Sequence, residues 1–521
     1  MNVSALLIKV LLVSQAITHK CIHGQIAKDL GELPINKDPG SDFSDRQMQE
    51  NDPWRKIRIL FDFTHIVNAS ENAQKFIKDV MAPMVKADFE EMLEIRGPDT
   101  IFPFTKTACD NHFTVPNKYK DSNIDADLLI FVSLFNDSEK DILAFAAPCS
   151  VEGKYLRPNI GMVVINEHFF KINKPYVKNF HDTIKHEVFH ILAISPNLYN
   201  SFNRERRAYI KESKSTTSGQ TSVYKFISEN LVDFAKEHFS CDTLDGVYLE
   251  NEGSSDSAGA HFEKSLYGNE IMTSEKAGHS VLSGLSLAFL EDSGWYKVNY
   301  KVEEPLEYGK GNGCEFASHN CNTNYKEFCD VKGAVACSRD FIAKTICVQS
   351  NFGDSCLHEE YVEQYMCKNT YSFKSTAKYE RSGGYSRCFE TVYSSNKAAG
   401  CYQSACENGT IKLTIDDTVL TCTKKGDIIE YEGLEIICPD TTEFCSQLEN
   451  SCDEDCNGFG VCRLDETCYC DYFHSGSTCS NEVECDTDLG DLCDLLLKQP
   501  ESSHSFIISF FAIYWTIFTI S

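Results

Sequence analysis

The segment His186-Glu187-Val188-Phe189-His190 carries the most pointed chemistry in this chain. Residues four apart on an α-helix project from one face, one turn above each other. Two imidazoles so placed reach one small cation, and Glu187 falls beside the cation's open position. The pattern His-Glu-x-x-His suits a bound zinc ion with a carboxylate as general base toward water. The short pattern also occurs on ordinary solvated helices, so its context decides its weight. A catalytic zinc usually takes three protein side chains and keeps one position for water. The third must come from elsewhere, and His168, His238, His261 and His279 are candidates. His181, five residues before His186, lies off the shared face.

A helix is expected from about Tyr176 to Ile194. Val177, Phe180, Ile184, Val188 and Ile191 recur three or four apart and form its buried face. Strands precede it. Residues 56–63 alternate and are β-branched, and 128–133 and 160–165 are short apolar runs. Residues 71–95 have helical spacing. Strands leading into one long helix imply an α+β domain with the metal helix at a cleft. Between Ala193 and His261 the sequence is polar, with a helix-like stretch near residues 221–238, and reads as a surface insertion.

The whole chain has 521 residues, room for roughly three or four domains. A net charge of −28 argues against a nucleic-acid-binding surface. Only Cys21, Cys109, Cys149 and Cys241 precede residue 314; the other 21 of the 25 cysteines lie between Cys314 and Cys493. That density implies an oxidising compartment and a disulfide-stapled C-terminal half. Without Cys21 the count is even.

Residues 1–16 resemble a secretory signal peptide, although Lys9 interrupts the apolar run. Residues 506–521 form an apolar tail that suits a cleaved GPI-attachment signal, with a membrane tail as the alternative. The expected organisation is a propeptide over 17–54, polar from residue 25, and a catalytic subdomain over 55–200. A central subdomain over 201–310, a cysteine-rich domain over 311–450, a small module over 451–480 and a linker over 481–505 follow. Asn68, Asn136 and Asn408 begin glycosylation triplets. Cys21 sits alone near the new N-terminus. A thiolate is a good zinc ligand, but on spacing alone an ordinary cysteine is the simpler reading.

Several ordered segments together resemble the leishmanolysin family of surface metalloproteases. They are His19-Lys-Cys21-Ile-His23, Ala144-Phe-Ala-Ala-Pro-Cys149, Arg157-Pro-Asn-Ile-Gly161 and the metal motif running on to Ser195. Gly259-Ala-His261-Phe-Glu-Lys264, Gly268-Asn-Glu-Ile-Met272, Leu285 to Tyr296, Gly311-Asn-Gly-Cys314, Ile437-Cys438-Pro-Asp440 and Phe444-Cys445 complete the set. The resemblance covers roughly residues 55–448 plus the propeptide piece. It implies a metzincin-type zinc endopeptidase with one zinc per chain, acting on proteins or peptides at the cell surface or in the secreted state.

By the same resemblance His261 is the third ligand, Met272 the methionine of the turn beneath the metal, and Cys21 the residue that holds a zymogen inactive. Two departures stand out. Ala193 replaces a glycine where the helix ends, which would cost about 1 kcal/mol or more if the turn needs left-handed angles. Phe262 stands where tryptophan is common. Cysteines 452–479 resemble an EGF-like module, which implies pairs Cys452–Cys462, Cys456–Cys468 and Cys470–Cys479; Cys485 and Cys493 are left to pair with each other. A surface adhesin that keeps the fold with little activity is the alternative function, and Ala193 and the EGF-like tail are its support.

Overall fold

The computed structural model describes residues 21–37, 53–104, 113–140, 142–169, 171–202, 208–216, 219–252, 258–275, 278–318, 321–350, 352–354, 356–449, 452–485 and 489–497. Residues 1–16, read above as a signal peptide, and the apolar tail lie outside the described residues, as does Cys109.

The N-terminal half is built on one mixed sheet. Its strands are β1 (Ile35–Asn36), β2 (Ile59–His65), β3 (Leu128–Phe135), β4 (Ala144–Glu152) and β5 (Pro158–Asn166), in the order β1-β4-β5-β3-β2. β4 runs antiparallel to β5, while β3 is parallel to both of its neighbours. Two-sided burial along β3 explains why this strand is apolar at every position but Ser133. Leu128, Ile130 and Val132 join the main core, and Leu129 and Phe131 join a second core on the other face with Ile101, Phe113 and Met162.

The main core lies between the sheet and the helices. Helix α1 is His23–Leu30, α2 is Ala82–Met92, α3 is Lys174–Leu192, α4 is Glu229–Phe239 and α5 is Gly284–Asp292. α3 crosses closely under the sheet. A Cβ at Gly161 on β5 would lie 2.4 Å from the Ile191 side chain, so any larger residue would push α3 away one residue past His190.

Three features differ from the sequence reading. The polar stretch after residue 25 is partly ordered: α1 and β1 both precede Arg55, and β1 pairs in parallel with β4, with Ile35 opposite Val151. The insertion after Ala193 contains a β-hairpin, β6 (Tyr209–Thr216) and β7 (Gly219–Phe226), before α4 starts at Glu229. Residues 221–226, expected to be helical, are therefore strand; alternation rather than helical spacing governs that segment. Residues 481–497, read as a linker, include a helix from Asp491 to Leu497 whose Leu492 and Leu496 are buried in the main core.

The C-terminal half holds a three-stranded antiparallel sheet (Val335–Cys337, Ala343–Gln349, Leu357–Met366) and a six-stranded one with a core of Phe341, Phe389, Tyr402, Leu413 and Ile436. Disulfides 321–356, 329–347, 337–388, 367–401, 406–445 and 422–438 staple it, and Cys241–Cys314 ties it to α4. The small module contains the bonds Cys452–Cys462, Cys456–Cys468 and Cys470–Cys479, and Cys485–Cys493 follows.

This module docks on the N-terminal half. Arg463 makes two bonds to Glu91, at 3.0 and 3.1 Å, and the Tyr469 hydroxyl donates to Asp88 at 2.6 Å. Asp88 also faces His181 at 3.1 Å and Lys185 at 3.4 Å on α3. Burial opposes its ionisation, but Lys185, His181 and Tyr469 outweigh burial and hold its carboxyl well below the usual range.

Asp88→Asn therefore strips one partner from a buried charge cluster and is expected to cost about 3 kcal/mol. Denaturant or thermal unfolding would read this as a clear drop in midpoint; an unchanged midpoint would mean that the cluster adds nothing. The pH sign follows from the depressed value. The contribution is complete above the unfolded carboxyl value of about 4 and is lost as pH falls through the lower folded value.

Candidate metal centre

α3 presents His186 and His190 on one face. His186 donates its Nδ1–H to the Ile271 carbonyl at 2.7 Å, and His190 donates its Nδ1–H to the Ile194 carbonyl at 2.7 Å. Both Nε2 atoms are thereby turned toward each other, 3.1 Å apart. His261 completes the group. Its ring centroid lies 5.3 Å from that of His186 and 4.9 Å from that of His190. Cys21 supplies a fourth atom, with Sγ 3.4 Å from His190 Nε2. One ligand atom from each of Cys21, His186, His190 and His261 lies within 4.8 Å of every other, and all four residues are buried.

These distances fit a zinc ion. A tetrahedron with Zn–N bonds of 2.0–2.1 Å has edges of about 3.3 Å, and one with a longer Zn–S arm has slightly longer edges. The donor chemistry fits as well: three imidazoles are a known catalytic zinc set, and a thiolate is a zinc ligand able to take the fourth position. His190 stays neutral, since burial, then His23, His186 and His261, push its pKa well down. Burial, and next the charge of Glu187, push the Cys21 thiol up. Coordination to a divalent cation reverses this, because a ligating thiol is deprotonated outright.

Glu187 is fully buried beside the cluster. Burial pushes its pKa up to about 7, while His186 and the Ala146 N–H pull it back. That places it close to the value that suits a general base at neutral pH.

The other histidines lie apart from the centre. His181 pairs with Asp88, His238 hydrogen-bonds the Tyr308 carbonyl at 2.8 Å, His279 packs near Tyr361, and His168 is exposed. Met272 is fully buried, and its carbonyl accepts the Phe262 N–H at 2.9 Å. Phe262 is itself buried against Tyr267 and Phe289.

Ala193 answers the question its sequence raised. Its φ is −158° and its ψ −38°, outside the left-handed region, so alanine meets no glycine-specific requirement here. The cost attached to this position does not arise. The turn it begins carries Ile194, whose carbonyl orients His190.

Sequence reasoning named the segment around Cys21 but gave His23 no role. His23 stacks on His190 with centroids 3.9 Å apart and parallel rings. Its Nδ1–H donates to the Ala146 carbonyl on β4 at 2.6 Å, and its Nε2 meets the Ser195 hydroxyl at 2.8 Å. The spacing Cys21-x-His23 was the available signal. Glu270 lies inside the named segment Gly268–Met272 and was likewise given no role.

Three histidines around one point, with a carboxylate following the first, define a centre of the His-Glu-x-x-His metallopeptidase type. The leishmanolysin family model matches residues 77–349, more than half of the chain, and the chain belongs to the leishmanolysin family. A leishmanolysin-like peptidase of Caenorhabditis briggsae is 31% identical over 232 residues, covering 38% of this chain and 35% of that protein. The ciliated left-right organizer metallopeptidase of Danio rerio is 27% identical over 342 residues, covering 61% and 55%. Leishmanolysin of Leishmania donovani is 30% identical over 213 residues, covering 40% and 34%. The chain thus spans about a third of the length of the worm and Leishmania relatives and about half of the fish one.

Proposed function

We propose that this protein is a zinc endopeptidase that hydrolyses peptide bonds in proteins and is made as a zymogen with Cys21 on the metal. The carrying observation is the convergence of Cys21, His186, His190 and His261 within 4.8 Å. His186, His190 and His261 would hold the ion. Bound there, zinc supplies Lewis-acid polarisation and lowers the pKa of water toward neutrality.

The chain's own groups do the rest. The Ile271 and Ile194 carbonyls fix the tautomers of His186 and His190. Glu187 accepts the proton of the attacking water and returns it to the leaving nitrogen. In the precursor, Cys21 takes the position that water needs. His23 takes the Ala146 carbonyl of β4, a backbone acceptor that an extended substrate would otherwise use.

Secretion is supported by the disulfide framework, and Asn68, Asn136 and Asn408 are all exposed, as glycosylation requires. Attachment to a membrane through the C-terminal tail belongs to the same reading. Among the described residues no helix is long and apolar enough to cross a membrane. The adhesin alternative leaned on Ala193 and the EGF-like tail; the backbone at Ala193 stays outside the left-handed region, which withdraws the first of these supports.

Cleavage of a quenched peptide by the purified processed protein, with metal analysis and 1,10-phenanthroline inhibition on the same sample, tests the activity. About one zinc per chain with chelator-sensitive cleavage is expected; bound zinc with no cleavage would leave a binding protein. Cys21→Ser tests the zymogen. The unprocessed variant is expected to cleave peptide while the unprocessed wild type stays silent, and a silent variant would end the latch.

A further inference from the structure

Glu270 is 1% exposed and lies two residues before Met272, in the turn beside the metal centre. Its Oε2 accepts the Met272 N–H at 2.5 Å. Its Oε1 accepts the hydroxyls of Ser286, at 2.6 Å, and of Ser283, at 3.1 Å. Ser283 caps α5, so the carboxylate sits at that helix's N-terminus, where the dipole favours negative charge. Burial pushes its pKa up to about 7, and Ser286, the Met272 N–H and Ser283 draw it down, so the group is ionised in mildly alkaline buffer.

The Met272 N–H belongs to the same peptide group as the Ile271 carbonyl. A trans peptide points its N–H and C=O in opposite directions. One end of this amide therefore meets the Glu270 carboxylate, and the other accepts the Nδ1–H of His186 at 2.7 Å. The sequence of contacts is carboxylate, amide N–H, amide C=O, imidazole N–H. Metal-ligating histidines commonly donate straight to a carboxylate, which raises their basicity and fixes the ring. Here one peptide bond is interposed, and chained hydrogen bonds polarise one another. The amide is also pinned from its other neighbours, since the Ile271 N–H donates to the Val281 carbonyl at 2.8 Å.

We propose that Glu270 is a positioning residue for the metal centre, acting on His186 through the Ile271–Met272 peptide. It orients the imidazole and strengthens it as a ligand without touching metal or substrate. The inference rests on the zinc reading above.

The test is zinc affinity, measured at pH 8 by competition with a chromophoric chelator, well below the melting range of each protein. Wild type, Glu270→Gln and Ser286→Ala are compared. Glutamine keeps an acceptor for the Met272 N–H but removes the charge, and zinc binding is expected to weaken about 10-fold or more, the usual size for such outer partners. Ser286→Ala loses a hydroxyl from the same carboxylate and is expected to lower the melting midpoint while keeping zinc affinity within about twofold, far below that 10-fold effect. Zinc-binding wild type with an unchanged Glu270→Gln would overturn this inference and leave the zinc reading intact. Wild type that binds no zinc would remove the zinc reading itself.

If Glu270→Gln yields no folded protein, the Ser283→Ala/Ser286→Ala double variant decides. Without either hydroxyl, burial is opposed mainly by the Met272 N–H and the carboxyl loses its charge at pH 8, so zinc affinity is expected to fall toward the 10-fold effect. Affinity within about twofold of wild type would assign Glu270 to scaffolding alone and overturn the proposal.

Discussion

Glu187→Gln is expected to keep the fold and the bound zinc and to lose peptide hydrolysis by about 10³-fold or more, within reach of what a positioned general base contributes. Glutamine has nearly the shape of glutamate, so the tight packing of this fully buried position is preserved. What it lacks is a basic oxygen. Burial brings the Glu187 carboxyl to about 7, so the group both takes a proton readily and gives it back. An amide does neither at any working pH. The loss should appear in kcat with little change in KM, because the residue acts in the reaction rather than in substrate binding. Zinc content measured on the same preparation separates lost chemistry from lost metal. Hydrolysis retained at the wild-type rate would remove Glu187 as the base.

His261→Ala is expected to weaken zinc binding by more than about 100-fold, since even outer partners of metal ligands contribute 10- to 100-fold. The reason lies in the count. His186 and His190 alone leave a cation with two protein nitrogens, whereas a catalytic zinc site uses three. Cys21 can partly compensate in the precursor, where its sulfur is 3.4 Å from His190 Nε2. The loss should therefore be larger after the propeptide has been removed. Chelator competition on both forms measures that difference. Normal zinc content in the processed variant would send the search to another ligand, and no other histidine among the described residues joins the cluster. The fold should survive, because the residues around His261 are held by backbone bonds such as Glu250 N–H to the His261 carbonyl at 2.8 Å.

Much of the centre was legible as sequence. The four-residue spacing of His186 and His190 needs only helix geometry, and the apolar positions from Val177 to Ile191 specify that helix. The observed α3, Lys174–Leu192, ends within two residues of the expected boundary. The strands at 128–135 and 158–166 were visible for the same reason, since apolar runs of that length have few other places to go.

Residues far apart in the chain needed more. Nothing in local pattern distinguishes His261 from His238 or His279; ordered motifs resembling a family singled it out, and the fold brings its ring within 5.3 Å of the His186 ring. The segment before Arg55 shows the limit of composition. A polar segment with scattered glycine and proline reads as a linker, yet α1 and β1 form there because β4 offers an unpaired edge and the metal centre offers Cys21 and His23 a place to dock. Residues 221–226 illustrate competition between periods: a polar stretch carried no firm signal, and pairing with β6 made it strand.

Ala193 and Glu270 mark the division most clearly. A residue's type states which backbone angles it prefers, and it does not state which angles a turn demands. Only the folded chain shows that position 193 stays clear of the left-handed region. A glutamate in sequence is an acid with no assigned partner. Tertiary structure decides that Glu270 is buried and faces the Met272 N–H and two serine hydroxyls, because burial and hydrogen-bond partners are properties of contacts between distant segments. Local spacing carried the proposed ligands on one helix, and long-range packing carried the proposed third ligand, the proposed latch and the groups that orient them.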